Sequence, residues 1–135
     1  MTTIETEKKV SPNSAENLFA FLTDLNNFEQ LMPEGKIEKW ESSEDQCEFV
    51  IKGMARIGLT KESSERPNLI VIKTFGKVPF DFNLNIHLNE QADQQTEVFM
   101  IFNGEINAFM KMMVEKPLTN FFNFLVTKAS EVKLS

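Results

Sequence analysis

The stretch from residue 105 to 133 constrains the fold more than any other part of the chain. It reads as a long helix whose apolar side is Ile106, Phe109, Met110, Met113, Val114, Pro117, Leu118, Phe121, Phe122, Phe124, Leu125 and Val132. They recur at the three- and four-residue spacing of a helix. At about 100° per residue they cover an arc of roughly 200°, about twice the stripe that a helix lying on a surface buries. Such a helix must be wrapped, and the strands that precede it can do the wrapping. A helix held in the palm of a curved sheet can leave a hollow, and a hollow lined by Phe and Met suits an apolar small molecule. Pro117 falls mid-helix, where it removes one backbone bond and favours a bend.

The strands show their own period. Phe80, Phe82, Leu84, Ile86 and Leu88 alternate with Asp81, Asn83, Asn85, His87 and Asn89. One face of residues 80–89 is therefore dry and the other wet. Further strands are expected over residues 2–10, 36–41, 46–52, 55–62, 69–75 and 96–103, the last with Val98, Met100 and Phe102 inward. Ser11-Pro12 reads as an N-cap and first-turn proline. The short helix that follows buries Leu18, Phe19, Phe21 and Leu22. A second short helix is expected over residues 25–31. The order is one strand, two short helices, six consecutive strands and one long helix. That order describes an α+β fold: one domain over residues 1–135, with an antiparallel sheet of about seven strands around the C-terminal helix.

Composition narrows the function. The chain has 13 Phe, one Trp and no Tyr. Phe brings bulk without a hydroxyl that needs a partner, which favours a dry interior. Net charge is −6 and only two residues are arginine, so the basic face of a nucleic-acid binder is missing, as is the attraction to an anionic membrane. The single cysteine, Cys47, alternates with Phe49 and Ile51 and reads as a small buried hydrophobe. His87, the only histidine, is expected in solvent on the wet strand face, so neither a zinc site nor any other cofactor is expected. No apolar leader and no membrane-length apolar run is present, which makes the cytoplasm the default location. Phosphate-binding glycine loops and a nucleophile elbow are absent.

The residues expected to line a ligand site are Leu31, Met32, Phe49, Ile51, Ile57, Leu59, Phe80, Phe82, Met100, Phe102, Met110, Met113 and Phe121. Phe28, Leu31, Met32 and Pro33 form an apolar segment that either plugs the core or lids the entrance. Arg56 is expected to face outward with Thr60 and Glu62, and Trp40 to pack on the sheet. No catalytic set is visible, so no enzymatic role is assigned. A cyclase or dehydratase alternative would have to draw on Arg56, Asn103 or Asn107. A third alternative is a cavity-less domain that binds a protein partner. As a ligand binder the chain would act as a monomer or homodimer.

Three features carry a resemblance across nearly the whole length. The first is the opening strand into Ser11-Pro12-Asn13-Ser14-Ala15-Glu16-Asn17-Leu18-Phe19-Ala20-Phe21-Leu22-Thr23-Asp24. The second is the short helix after it. The third is the long helix with Lys111-Met112-Met113-Val114-Glu115-Lys116-Pro117-Leu118. The pattern resembles the helix-grip fold of the START-related (SRPBCC) superfamily. That group includes lipid-transfer domains, pollen-allergen-type proteins and bacterial polyketide cyclase/dehydrase-like proteins. The third feature is similar to a subgroup of small bacterial members. The resemblance implies a cavity between sheet and long helix that takes hydrophobic or amphipathic ligands, and it implies no reaction.

Overall fold

The strictest alternation in the sequence sits at the middle of the sheet. In the computed structural model, which describes residues 1–134, Phe82, Leu84, Ile86 and Leu88 are all buried on one face. They belong to β7 (Phe82–Ala92), which pairs along its length with β8 (Gln95–Gly104). The preceding elements are β1 (Thr2–Glu5), β2 (Lys9–Ser11), α1 (Ala15–Leu22), a 3-10 helix (Leu25–Leu31), β3 (Ile37–Ser42), β4 (Gln46–Ile51), β5 (Ala55–Glu65) and β6 (Leu69–Thr74). α2 (Ala108–Glu131) closes the chain. The fold is α+β. Its open antiparallel sheet runs β1-β8-β7-β6-β5-β4-β3, with β2 also paired to β8. Val98, Met100 and Phe102 point inward, as their period suggests.

Several boundaries differ from the sequence reading for physical reasons. The single first strand becomes β1 and β2 because three residues, 6–8, stand opposite two on β8. The extra residue is a β-bulge. Thr6 holds it by donating its backbone N–H to the Met100 carbonyl and accepting the Met100 N–H on its hydroxyl, both at 2.9 Å. The bulge flips the alternation, so Val10 lies outside at 59 % exposure and Ser11 inside. The N-cap of α1 is Ser14, not Ser11; its side chain accepts the Asn17 N–H at 3.1 Å. β5 continues to Glu65 through a register shift between Lys61 and Ser63. Phe80 precedes β7 but is buried all the same. α2 starts at Ala108, because the Asn107 side chain caps it by accepting the Met110 N–H at 2.9 Å.

One buried polar residue ties the two ends of the fold together. The Asn13 amide donates to the Val132 carbonyl at 2.7 Å and to the Ser11 hydroxyl at 2.8 Å, and its oxygen accepts the Leu134 N–H at 2.9 Å. The Asn13 carbonyl in turn accepts the Thr96 hydroxyl at 2.7 Å. Removing the amide orphans groups that pack away from water, and each orphan costs more than a hydrogen bond contributes. Asn13→Ala is expected to lower stability by about 2–4 kcal/mol in urea unfolding. Amide exchange at Leu134 should quicken at the same time. Unchanged protection at Leu134 would mean that the tie contributes nothing.

Candidate ligand cavity

α2 is apolar over a wide arc because two separate stripes share it. Leu118, Phe122, Leu125, Val126 and Ala129 are buried against the sheet. Met110, Met113, Val114, Pro117, Phe121 and Phe124 repeat at the same helical spacing but border a cavity. Taken at about 100° per residue, the second stripe lies about 100° around the helix from the first. The docking stripe belongs to the C-terminal half of the helix and the cavity stripe mostly to the N-terminal half. There the helix is not wrapped: Phe109, Met112 and Met113 are 74 %, 88 % and 63 % exposed. This corrects the expectation that the whole apolar arc is enclosed. The helix is continuous through Pro117, which faces the cavity.

The cavity has a volume of about 790 Å3 and opens to solvent at one end of the sheet. Its other wall comes from the segments that the meander gathers at that end. These are Pro33 and Lys36 before β3, Ile51 to Met54 at the β4–β5 turn, and Pro79 and Phe80 before β7. Gly53 makes the tight turn possible, with φ of 79° in the left-handed region. The lining is largely carbon, with Lys36, Lys52, Lys116 and Asn120 as its polar side chains.

The space further along the sheet is filled. A continuous series of aromatic rings crosses between sheet and helix. Phe80 meets Phe102 at 6.4 Å, Phe102 meets Phe82 at 4.8 Å and Phe122 at 5.4 Å, and Phe122 meets Phe121 at 5.4 Å. Phe121 then meets Phe49 at 6.4 Å, and Phe49 stacks on Trp40 at 5.4 Å. Stacked, tilted and edge-on pairs at these separations are favourable aromatic geometries. Phe80 and Phe121 are the members of the series that reach the cavity.

The residues singled out from the sequence therefore divide. Ile51, Phe80, Met110, Met113 and Phe121 line the cavity together. Leu31, Met32, Phe49, Ile57, Leu59, Phe82, Met100 and Phe102 do not; all are core residues, and Phe49, Phe82 and Phe102 belong to the aromatic series itself. Phe28, Leu31 and Met32 are buried and plug the core, with Pro33 alone reaching the cavity. Met54, Val114, Pro117, Phe124 and the polar set Lys36, Lys52, Lys116 and Asn120 were not among the expected lining residues. The meander itself could have located the loop residues, since alternate turns lie at the same end of the sheet.

The remaining chemistry-bearing side chains lie elsewhere. Arg56 is on the outer face, paired with Glu48 and donating to the Lys77 carbonyl at 3.0 Å. Asn103 is also on the outer face, bonded to Thr3 and Asn83. Asn107 is the cap of α2. None of the three reaches the cavity, so the residues suggested for a cyclase or dehydratase are not gathered there. His87 sits on the outer face as expected but is half-buried, stacked on Phe99 at 4.8 Å. Its pKa is lowered by that burial, against an opposing pull from Glu5. Among the described residues, no group of three or more His, Cys, Asp or Glu is placed to hold a metal. No helix among them is long and apolar enough to cross a membrane.

Cys47 is buried in β4, away from this cavity. Burial, then the adjacent Glu48 carboxylate, push its thiol up from 9.0 to about 12. The folded pKa lies above the unfolded one, so this group's stabilisation is complete below pH 9 and fades as pH rises from 9 towards 12. Relative to Cys47→Ala, the wild-type chain should lose about 2 kcal/mol between roughly pH 9 and 10.5. Urea unfolding of the two chains across that range checks it; parallel curves would contradict the burial.

The comparisons place this geometry among known structures. No protein-family profile matches the chain, and no curated protein shows significant sequence similarity to it. Solved structures match with probability 1.00. TTHA0849 from Thermus thermophilus is 12 % identical with a TM-score of 0.75, covering 96 % of this chain and 94 % of its own. Norcoclaurine synthase from Thalictrum flavum is 12 % identical with a TM-score of 0.74, covering 96 % and 84 %. XoxI from Bacillus cereus is 10 % identical with a TM-score of 0.74, covering 96 % and 94 %. At least one protein that shares this architecture is thus a synthase. The chain shares the helix-grip fold of these structures, the architecture its sequence resembles.

Proposed function

We propose that the chain binds a hydrophobic or amphipathic small molecule in the cavity between the N-terminal half of α2 and the open end of the sheet. The carrying observation is the cavity itself: about 790 Å3, walled by Met, Phe, Val, Ile and Pro carbon. That volume is in the range of sites that take drug-sized ligands. Met110, Met113 and Met54 give the wall flexible, polarizable groups that adapt to varied apolar shapes. Burying some 300 Å2 of ligand carbon contributes roughly 7 kcal/mol before the entropy of association is subtracted. The fold is compatible with this use: one norcoclaurine synthase structure was solved in complex with dopamine and hydroxybenzaldehyde. The reading is of binding: the lining is carbon apart from three lysines and Asn120.

Native mass spectrometry of protein purified from its own host tests the proposal. A co-purifying apolar molecule, released by organic extraction, is the expected result. Melting temperature should rise when fatty acids or isoprenoids are added to the extracted protein. A chain that carries no such molecule and is stabilised by neither class would contradict the proposal.

A further inference from the structure

We propose that the ligand of this cavity is an amphipathic anion, whose carboxylate or phosphate head sits between Lys36, Lys52 and Lys116 while its carbon body lies against Met110, Phe80 and Phe121. The inference rests on the cavity being a ligand site and names the class of ligand.

The lining breaks with the charge of the chain. Acidic residues outnumber basic ones 20 to 14, yet the cavity presents three lysines and no carboxylate. Lys9, Lys61, Lys73, Lys111, Arg56 and Arg66 each have a carboxylate within 4 Å. Among the described residues, Lys36, Lys52 and Lys116 have none, as is also true of Lys8, Lys39, Lys77, Lys128 and Lys133; what sets the three apart is that they share one apolar cavity.

The backbone also sets the three in an arc. The Lys52 N–H donates to the Lys36 carbonyl at 2.9 Å, so these two are neighbours where β3 begins and β4 ends. Adjacent like charges repel, and an anion between them relieves the repulsion. Lys116 stands on α2 across the opening, one turn from Met113 and from Asn120, whose carboxamide adds a neutral donor. The lysines are exposed, whereas Met110 and Phe121 are half-buried and Phe80 is buried, so head and body of an amphiphile find matching surroundings. Lysine suits the task because its carbon stem can lie along the apolar wall while the ammonium stays at the opening. It carries three donors on a flexible stem and so accepts either a carboxylate or a phosphate.

A head-group series on one carbon body tests the inference by titration calorimetry, with each ligand below its micelle concentration. The ligands are dodecanoate, dodecyl phosphate, dodecanol and dodecyltrimethylammonium. The two anions are expected to bind at least about tenfold tighter than the alcohol or the cation at low salt. The gap should narrow at high salt because the lysines are solvent-exposed. In the K36Q/K52Q/K116Q variant the gap between dodecanoate and dodecanol should close. A lead for either anion supports the proposal and says which head the site prefers. Dodecanol binding as tightly as the anions, or a variant that keeps the preference, would overturn the inference while leaving the cavity a ligand site. Failure of all four to bind would overturn both readings.

Discussion

Phe102→Ala is expected to lose about 3–5 kcal/mol of stability, while Phe124→Ala loses about 1 kcal/mol or less. Both remove the same atoms from a phenylalanine between sheet and helix, but the surroundings differ. Phe102 is 1 % exposed and meets Phe80, Phe82 and Phe122. Its ring also covers Gly104, where a built Cβ would fall 2.6 Å from the ring, so the glycine is what lets the two pack. Truncating Phe102 opens a cavity that rigid neighbours cannot fill, and the cost adds lost transfer energy to lost packing. Phe124 is half-buried and borders space that already exists, so its loss enlarges an opening that water can enter. Urea unfolding of the two variants measures the difference directly. Equal costs would mean that the volume beside Phe124 is packed like the core.

The second large effect is on binding. Val114 sits on the cavity stripe of α2, a turn from both Met110 and Pro117. Val114→Trp adds bulk to the wall that Val114 shares with Phe80 and Phe121, at the expense of the open volume. The expected result is at least a tenfold loss of affinity for dodecanoate, about 1.4 kcal/mol or more, because the ligand and the indole compete for one volume. Stability should change by less than about 1 kcal/mol, since the residue is half-buried beside a void instead of inside a packed core. Calorimetric titration of wild type and variant gives the affinities, and a thermal melt gives the stability. Unchanged affinity would place the ligand somewhere else.

The two sites of substitution also show what the sequence could convey. The alternation from Phe82 to Leu88 fixed which face of β7 is dry, and the 200° arc of α2 signalled that the helix meets more than a flat sheet. Periodicity says which way a side chain points; it does not say what stands opposite. Phe102 and Phe80 both point inward, yet one meets the docked half of α2 and the other also reaches the cavity. Which fate applies depends on where the helix leaves the sheet, and that is set by packing between residues some 20–90 positions apart. The same limit explains the lysines. Lys36 and Lys52 lie just outside strands, where no alternation directs attention to them. Only the register of β3 on β4 makes them neighbours. The β-bulge at residues 6–8 was illegible for a similar reason: it depends on the hydroxyl of Thr6 reaching Met100 across the ladder.

Methionine methyl resonances offer the most direct test of the central claim, because the seven methionines sample every environment in the molecule. Met54, Met110 and Met113 border the cavity, Met32 and Met100 are buried in the core, and Met112 is exposed to solvent. On titration of methyl-labelled protein with dodecanoate or dodecanol, the account predicts saturable shifts at Met54, Met110 and Met113, with Met32, Met100 and Met112 nearly still. Shifts that fail to saturate at those three, or that centre on Met32 and Met100, would contradict it.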